Sequence, residues 1–281
     1  MPKPTRQYLI QQRQFERRQK IYESKYRGRF YKYLISVNKL IAKEIELNGF
    51  GFDISRFIKY DDLERIYKKL YNEVTINEAD ILYTDLEPNE EVKQKDLIDD
   101  LIGILDPKSK PISLWKRLLN EFITVRIAGR ITEVTDTTRR RISVLIEKGI
   151  EEGFGAREVA RTIRQDTGYN KNRSLAIART ETITAANQGR YMSAISSRYV
   201  MLKKWLPAPN DGRNRASHLD FWDRPWVEME QLFYVANADG VLEQARFPCD
   251  VTLSASNVIS CRCIVIFQIK TDENGRPIRK I

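Results

Sequence analysis

The chain has 281 residues and a formal net charge of +10, with 42% hydrophobic and 10% aromatic residues. That composition excludes wholesale disorder, and no apolar run approaches the roughly 18 residues of a membrane span. The basic N-terminus has no apolar stretch behind it, which predicts no secretory leader. Three cysteines are too few for a disulfide scaffold and point to a reducing compartment. A single histidine, His218, removes mechanisms that need two, among them two-histidine zinc and iron sites.

The charge is uneven. Residues 1–32 hold ten basic side chains against Glu16 and Glu23, whereas residues 78–106 hold ten acidic ones against Lys93 and Lys95. In the first segment, 1–47, Tyr8, Phe15, Tyr22, Tyr26, Phe30, Tyr33, Val37 and Ile41 recur at steps of seven, four and three, one face of a helix. Arg6, Arg13, Arg17, Arg18, Lys20, Lys25, Arg27, Arg29 and Lys32 occupy its other faces. Two readings stand: a helix packed on its own domain, or an arm that docks the stripe Tyr8, Phe15, Tyr22, Tyr26, Phe30 and Tyr33 on a partner while the basic side meets phosphates. Nothing resembles a base-reading module.

Asn48 to Phe52 breaks this helix, and 61–73 turns helical again. Segment 48–112 closes with the acidic stretch, a solvated surface, a cover for the basic arm or a contact with a basic partner, and a linker bracketed by Pro107 and Pro111. From 113 to 198 the pattern is helical. Ser113 is a candidate cap, Gly153-Phe154-Gly155 a stop, Ala156–Gln165 a short helix, Asp166-Thr167-Gly168 a turn and Asn172–Arg198 a further helix. Residues 199–270 change character. Tyr199–Leu206 and Ile264–Ile269 read as strands, with shorter ones at 232–235 and 245–247. A charged tail occupies 271–281. The predicted fold is α+β: a predominantly helical N-terminal two-thirds, then a small antiparallel β-module.

All three cysteines and the histidine fall within this module, as His218, Cys249, Cys261 and Cys263. Thiolates and a neutral imidazole suit tetrahedral zinc. In a straight strand the two cysteines of Cys261-Arg-Cys263 point to opposite faces, so a shared ligand site needs a turn near Ser260 or Asn257. A structural zinc, buried free thiols and a single disulfide are the three readings. The deaminase pattern is not met, and no signature supports a cysteine nucleophile. Arg179 and Glu181, two apart on a helix, cannot pair with each other. They are expected to hydrogen-bond the β-module near 207–218 rather than to catalyse. No phosphate-binding loop or dinucleotide fingerprint occurs.

Ile177-Ala-Arg-Thr-Glu-Thr182, Asn187-Gln-Gly-Arg190, Lys204-Trp205-Leu206, Asp211-Gly-Arg213, Ser217-His218, Phe247-Pro248 and Cys261-Arg-Cys263 run in that order. Across about 130–268, with Arg179, Glu181, Trp205, Asp211 and Arg213 as the motif residues, the chain resembles the phage Mu F-like minor head proteins, also described as head morphogenesis proteins. The resemblance implies a few-copy virion component near the portal vertex that is assembled in host cytoplasm without a membrane. Its implied partners are the portal protein, packaged double-stranded DNA bound without sequence preference, and a major capsid or scaffolding protein. It also implies metal binding at His218, Cys261 and Cys263. Two departures stand out: Cys249 where the family usually has glycine, and Leu219–Asp223 where it has a small-residue turn. The rival readings are a metal-dependent enzyme and an effector cargo carried in the head.

Overall fold

A computed structural model describes residues 6–86, 110–209 and 212–280, with side chains from residue 9 onward. Asp211, the side chains of Arg6 and Tyr8, and most of the acidic stretch lie outside the described residues.

The first helix, α1 (Arg6–Asn48), follows the predicted stripe and ends where Gly49 takes φ +75, a left-handed turn that costs glycine little. Helix α2 (Tyr60–Leu86) starts with Asp61 and Asp62 against its positive dipole end. It buries Leu63, Tyr67, Leu70, Tyr71 and Val74. Helix α3 (Ile112–Glu151) has Pro111 at the cap position, so Ser113 lies inside the first turn and does not cap it. Helix α4 (Ala156–Gln165) matches its expected bounds.

Helix α5 (Thr167–Ser196) begins five residues earlier than the sequence predicts. The expected turn shrinks to one junction residue, Asp166, whose carboxylate accepts two hydrogen bonds from Arg141 at 2.8 and 2.9 Å. This helix is the axis of the molecule. It packs on α1, α2 and α3, and its far side meets the sheet. Gly189 sits where α5 crosses α2, and a Cβ there would lie 2.1 Å from the Thr75 carbonyl oxygen.

The β-module follows. Strand β1 (Met201–Leu206) lies between β2 (Val227–Glu228) and β5 (Ile264–Ile269) in an antiparallel sheet, with Leu206 opposite Ile264 and Met201 opposite Ile269. Strands β3 (Phe233–Ala236) and β4 (Leu242–Ala245) form a separate hairpin. Two one-turn helices, α6 (Ala216–Leu219) and α7 (Ala255–Val258), carry site residues. Trp205 is the module's centre: it stacks on Phe221 at 4.7 Å and meets Phe233 edge-on. The departure at Leu219–Asp223 is thereby accounted for, since it forms a 3-10 turn that puts Phe221 against that indole.

The aromatic stripe requires a correction. Phe15, Tyr22, Tyr26, Phe30 and Tyr33 are buried in the chain's own core. Phe30 meets Tyr67 edge-on at 5.2 Å, and Tyr26 donates to the Lys69 carbonyl and to Glu73. Fully burying each such ring is worth about 1.5–3 kcal/mol, which holds α1 down instead of freeing it for a partner. One hydrophobic cluster runs from Phe15 to Ile266, across the segments separated in the sequence.

Candidate metal centre and the helix that holds it

His218 comes from α6, and the two clustered cysteines come from the turn between α7 and β5. Ser260 takes φ +56, and the Cys261 amide bonds the Val258 carbonyl at 3.1 Å. This is the turn that the Cys-Arg-Cys spacing demands. It rotates Cys261 so that its sulfur and that of Cys263 face the same imidazole. His218 Nδ1 lies 3.6 Å from Cys261 Sγ and 3.4 Å from Cys263 Sγ, and the three ligand atoms fall within 4.8 Å of one another. All three residues are buried. Around tetrahedral zinc, neighbouring sulfur and nitrogen ligands are roughly 3.5–3.8 Å apart, so these donors fit that ion. The Cys263 amide also points at Cys261 Sγ, at 3.4 Å.

The far nitrogen of His218 fixes the near one. Nε2 lies 3.1 Å from Asn257 Oδ1, and the Asn257 amide donates to Glu243 at 2.9 Å. Glu243 also accepts from Asn237 and from the Ser254 amide. With Nε2 donating to the amide oxygen, Nδ1 keeps its lone pair for the sulfurs. Burial pushes the Glu243 carboxyl up, but the bonds from Asn257, Ser254 and Asn237 outweigh it and hold it below its ordinary value.

Cys249 stands apart from this triad. It is buried beside Cys261, but among the described residues only His218, Cys261 and Cys263 form a ligand group. Its φ of +64 is the left-handed conformation that favours glycine, which suits the glycine implied there by the resemblance. Burial pushes the Cys249 and Cys263 thiols well up. Cys261 goes the other way: hydrogen bonds from Cys249 and Cys263 hold it well below the ordinary thiol value. No disulfide joins these three cysteines.

The motif helix needs the second correction. The hydrogen bonds and ion pairs of Arg179 and Glu181 go to the helices, not to the β-module. Arg179 binds Glu23 of α1 with two hydrogen bonds, at 2.9 and 3.1 Å. Glu181 accepts from Tyr71 of α2 at 2.5 Å and pairs with Arg130 and Arg126 of α3 at 3.1 and 3.8 Å. A carboxylate so enclosed is structural. The residues that hold the module are their neighbours. Thr180 Oγ1 accepts from the Ser260 amide at 2.9 Å. Asn187 donates to the carbonyls of Pro248 and Cys263 and accepts from the Val265 amide. Arg190 donates to the Val265 carbonyl. The signal available in the sequence was the run of polar residues among small alanines on one helix, which only buried partners can satisfy. Arg213 faces a groove against α1, and Asp211 is outside the described residues.

The predicted phosphate-contacting residues divide. Arg18 binds Glu78 at 2.7 and 3.0 Å, and Lys25 pairs with Glu73, so both are tied within the chain. Arg27 and Arg29 are half-buried, Arg29 over the Tyr26 ring. Arg13, Arg17, Lys20 and Lys32 are exposed.

Residues 140–266 match the family model described as "Phage Mu protein F like protein". The chain is 23% identical over 210 residues to "Uncharacterized protein YqbB" of Bacillus subtilis, covering 73% of this chain and 61% of that one. It is 28% identical over 144 residues to "NAD(+)--arginine ADP-ribosyltransferase EFV" of Enterococcus faecalis, covering 50% of this chain and 28% of that protein. The match thus spans under two thirds of either relative. No solved structure matches. Among the described residues no helix is long and apolar enough to cross a membrane. The family match begins within α3 and takes in α4, α5 and the sheet with its Cys/His turn, so residues 140–266 of this chain are similar to the phage Mu protein F-like family.

Proposed function

We propose that the protein is a minor head protein of a tailed bacteriophage, placed near the portal vertex and touching packaged DNA. The observation that carries this reading is the family match over the motif helix and the Cys/His turn. The exposed Arg13, Arg17, Lys20 and Lys32 support the DNA contact, since scattered cations on one helix bind phosphates without reading bases. Assembly in host cytoplasm and contacts with the portal and capsid or scaffolding proteins belong to the same reading. Averaged images of intact particles carrying a tagged copy test it: density at the portal vertex is expected, and absence from purified heads would refute it.

His218, Cys261 and Cys263 would hold a zinc ion in this reading, with Asn257 orienting the imidazole and Cys249 beside Cys261. The ion would cross-link α6 to the turn before β5, as structural zinc does. Metal analysis of purified protein should give one zinc per chain, lost in His218→Ala and Cys261→Ser. A metal-free, fully stable wild type would leave a buried thiol cluster instead.

The enzyme reading draws on the ADP-ribosyltransferase relative, of which the match covers 28%. The motif's glutamate is enclosed by Tyr71, Arg126 and Arg130 and is unfit to reach a substrate. Incubation with labelled NAD and arginine-rich protein is expected to transfer nothing; transfer lost in Glu181→Gln would reverse this assignment.

A further inference from the structure

Three arginines from three separate motifs meet in one place. Arg179 of the helix motif, Arg213 of Asp-Gly-Arg and Arg262 of Cys-Arg-Cys line a groove of about 260 Å³ against α1. We propose that this groove binds an acidic peptide segment of a partner protein: one carboxylate seated among the arginines, with an apolar neighbour beside it.

Charge and shape select that occupant. Lys20 adds a fourth cation, whereas Glu16 and Glu23 also face the groove; Glu23 is engaged by Arg179, and Arg262 donates to Asn214 at 2.7 Å. A single carboxylate finds a net positive setting there, and a bidentate arginine contact is its natural partner. A nucleic-acid strand would bring several phosphates, and the two glutamates would repel them. Phe15, Ile183 and Pro209 give the groove an apolar wall, which a phosphodiester chain does not use and a leucine or valine does. Gln19, 7% exposed, lines the same wall with neither amide atom hydrogen-bonded. A buried amide without partners costs free energy, and turning towards a bound peptide's N–H and C=O would satisfy both its ends. The groove is assembled from α1, which precedes the family match, and from motif residues within it. It therefore exists only in the complete fold, and it does not depend on the head-protein reading.

The test uses the full chain and labelled, N-acetylated octapeptides in which one Asp or Glu is flanked by Leu or Val, followed by fluorescence anisotropy. Matched peptides carrying Asn or Gln, a ten-nucleotide oligothymidylate and inorganic phosphate are the comparison probes. Acidic peptides are expected to bind at least tenfold tighter than their amide counterparts. That preference should vanish in Arg213→Gln/Arg262→Gln and persist in Arg13→Gln on the outer face of α1. Glu16→Gln should raise acidic-peptide affinity severalfold, a gain that misfolding cannot mimic. Equal binding of acid and amide peptides would overturn the proposal. So would an oligonucleotide or phosphate that binds tighter than the peptides and depends on the same arginines.

Discussion

The helical body and the β-module solve one problem in different ways. The body buries charge. Glu78 is fully enclosed and held by Arg18 with Arg190 at 3.9 Å, and Glu181 is held by Tyr71, Arg126 and Arg130. The module buries soft donors, three thiols and the imidazole that meets Trp205, alongside the charged Lys203 and Asp250. Interleaved side chains of α5 serve the two regions. Glu181 and Arg179 face the helices, and Thr180, Asn187 and Arg190 face the sheet. The difference teaches that this helix connects the two regions, and that its polar residues are chosen by which region they meet.

The largest expected break lies on the body side. Glu181→Ala strands Arg126 without its counter-charge and leaves Arg130 only Glu133, and removing one partner of a buried pair costs about 3–5 kcal/mol. Urea denaturation should show the whole chain losing its cooperative transition at lower denaturant, because α2, α3 and α5 all meet at this carboxylate.

On the module side, Asn187→Ala leaves the Pro248 and Cys263 carbonyls and the Val265 amide without their side-chain partner. A cost of about 2–4 kcal/mol is expected. Hydrogen exchange should localise it: amides of β5 and the Cys/His turn should lose protection before those of α2.

Lys203 gives a subtler contrast. It is fully buried in β1, donates to the Arg246 carbonyl and sits 5.1 Å from the Phe233 ring centre. Burial lowers its ammonium to about 8, against the nearby charges of Asp250 and Glu230, which act upward. Between pH 8 and about 10.4 the unfolded chain binds the extra proton, so stability should rise with pH across that window. Lys203→Met should flatten the rise in denaturation midpoint; an unchanged profile would mean that the ammonium is not held in this environment.

The smallest effect on folding belongs to the outer face of α1. Neutralising Arg13, Arg17 and Lys32 should shift stability by no more than about 0.5 kcal/mol. Each is expected to reduce the salt dependence of DNA binding by roughly one in the log–log slope. The same change at Arg18 should cost stability, because Glu78 is its partner.

Much of this was legible in the chain. The recurrence from Phe15 to Ile41 located α1, and the β-formers at 264–269 located β5 with correct bounds, because both patterns are set by local periodicity. The Cys/His cluster was legible from composition, and the need for a turn near Ser260 from strand geometry. The destination of the aromatic stripe was not. A helix face with rings on one side and cations on the other reads identically whether it meets a partner or its own α2 and α5. The partners of Arg179 and Glu181 were hidden for the same reason: Glu23 is 156 residues away and Tyr71 is 110 away.

The sequence by itself determined the order of elements, the α+β division and the residues able to hold a metal, since these follow from side-chain type and spacing. Only the tertiary structure decided that α1 and α2 share a core with the family region, that Cys249 stands outside the ligand triad, and that arginines from three motifs meet in one groove. Those outcomes depend on long-range packing and on φ values at single residues such as Cys249 and Ser260, which no local pattern encodes.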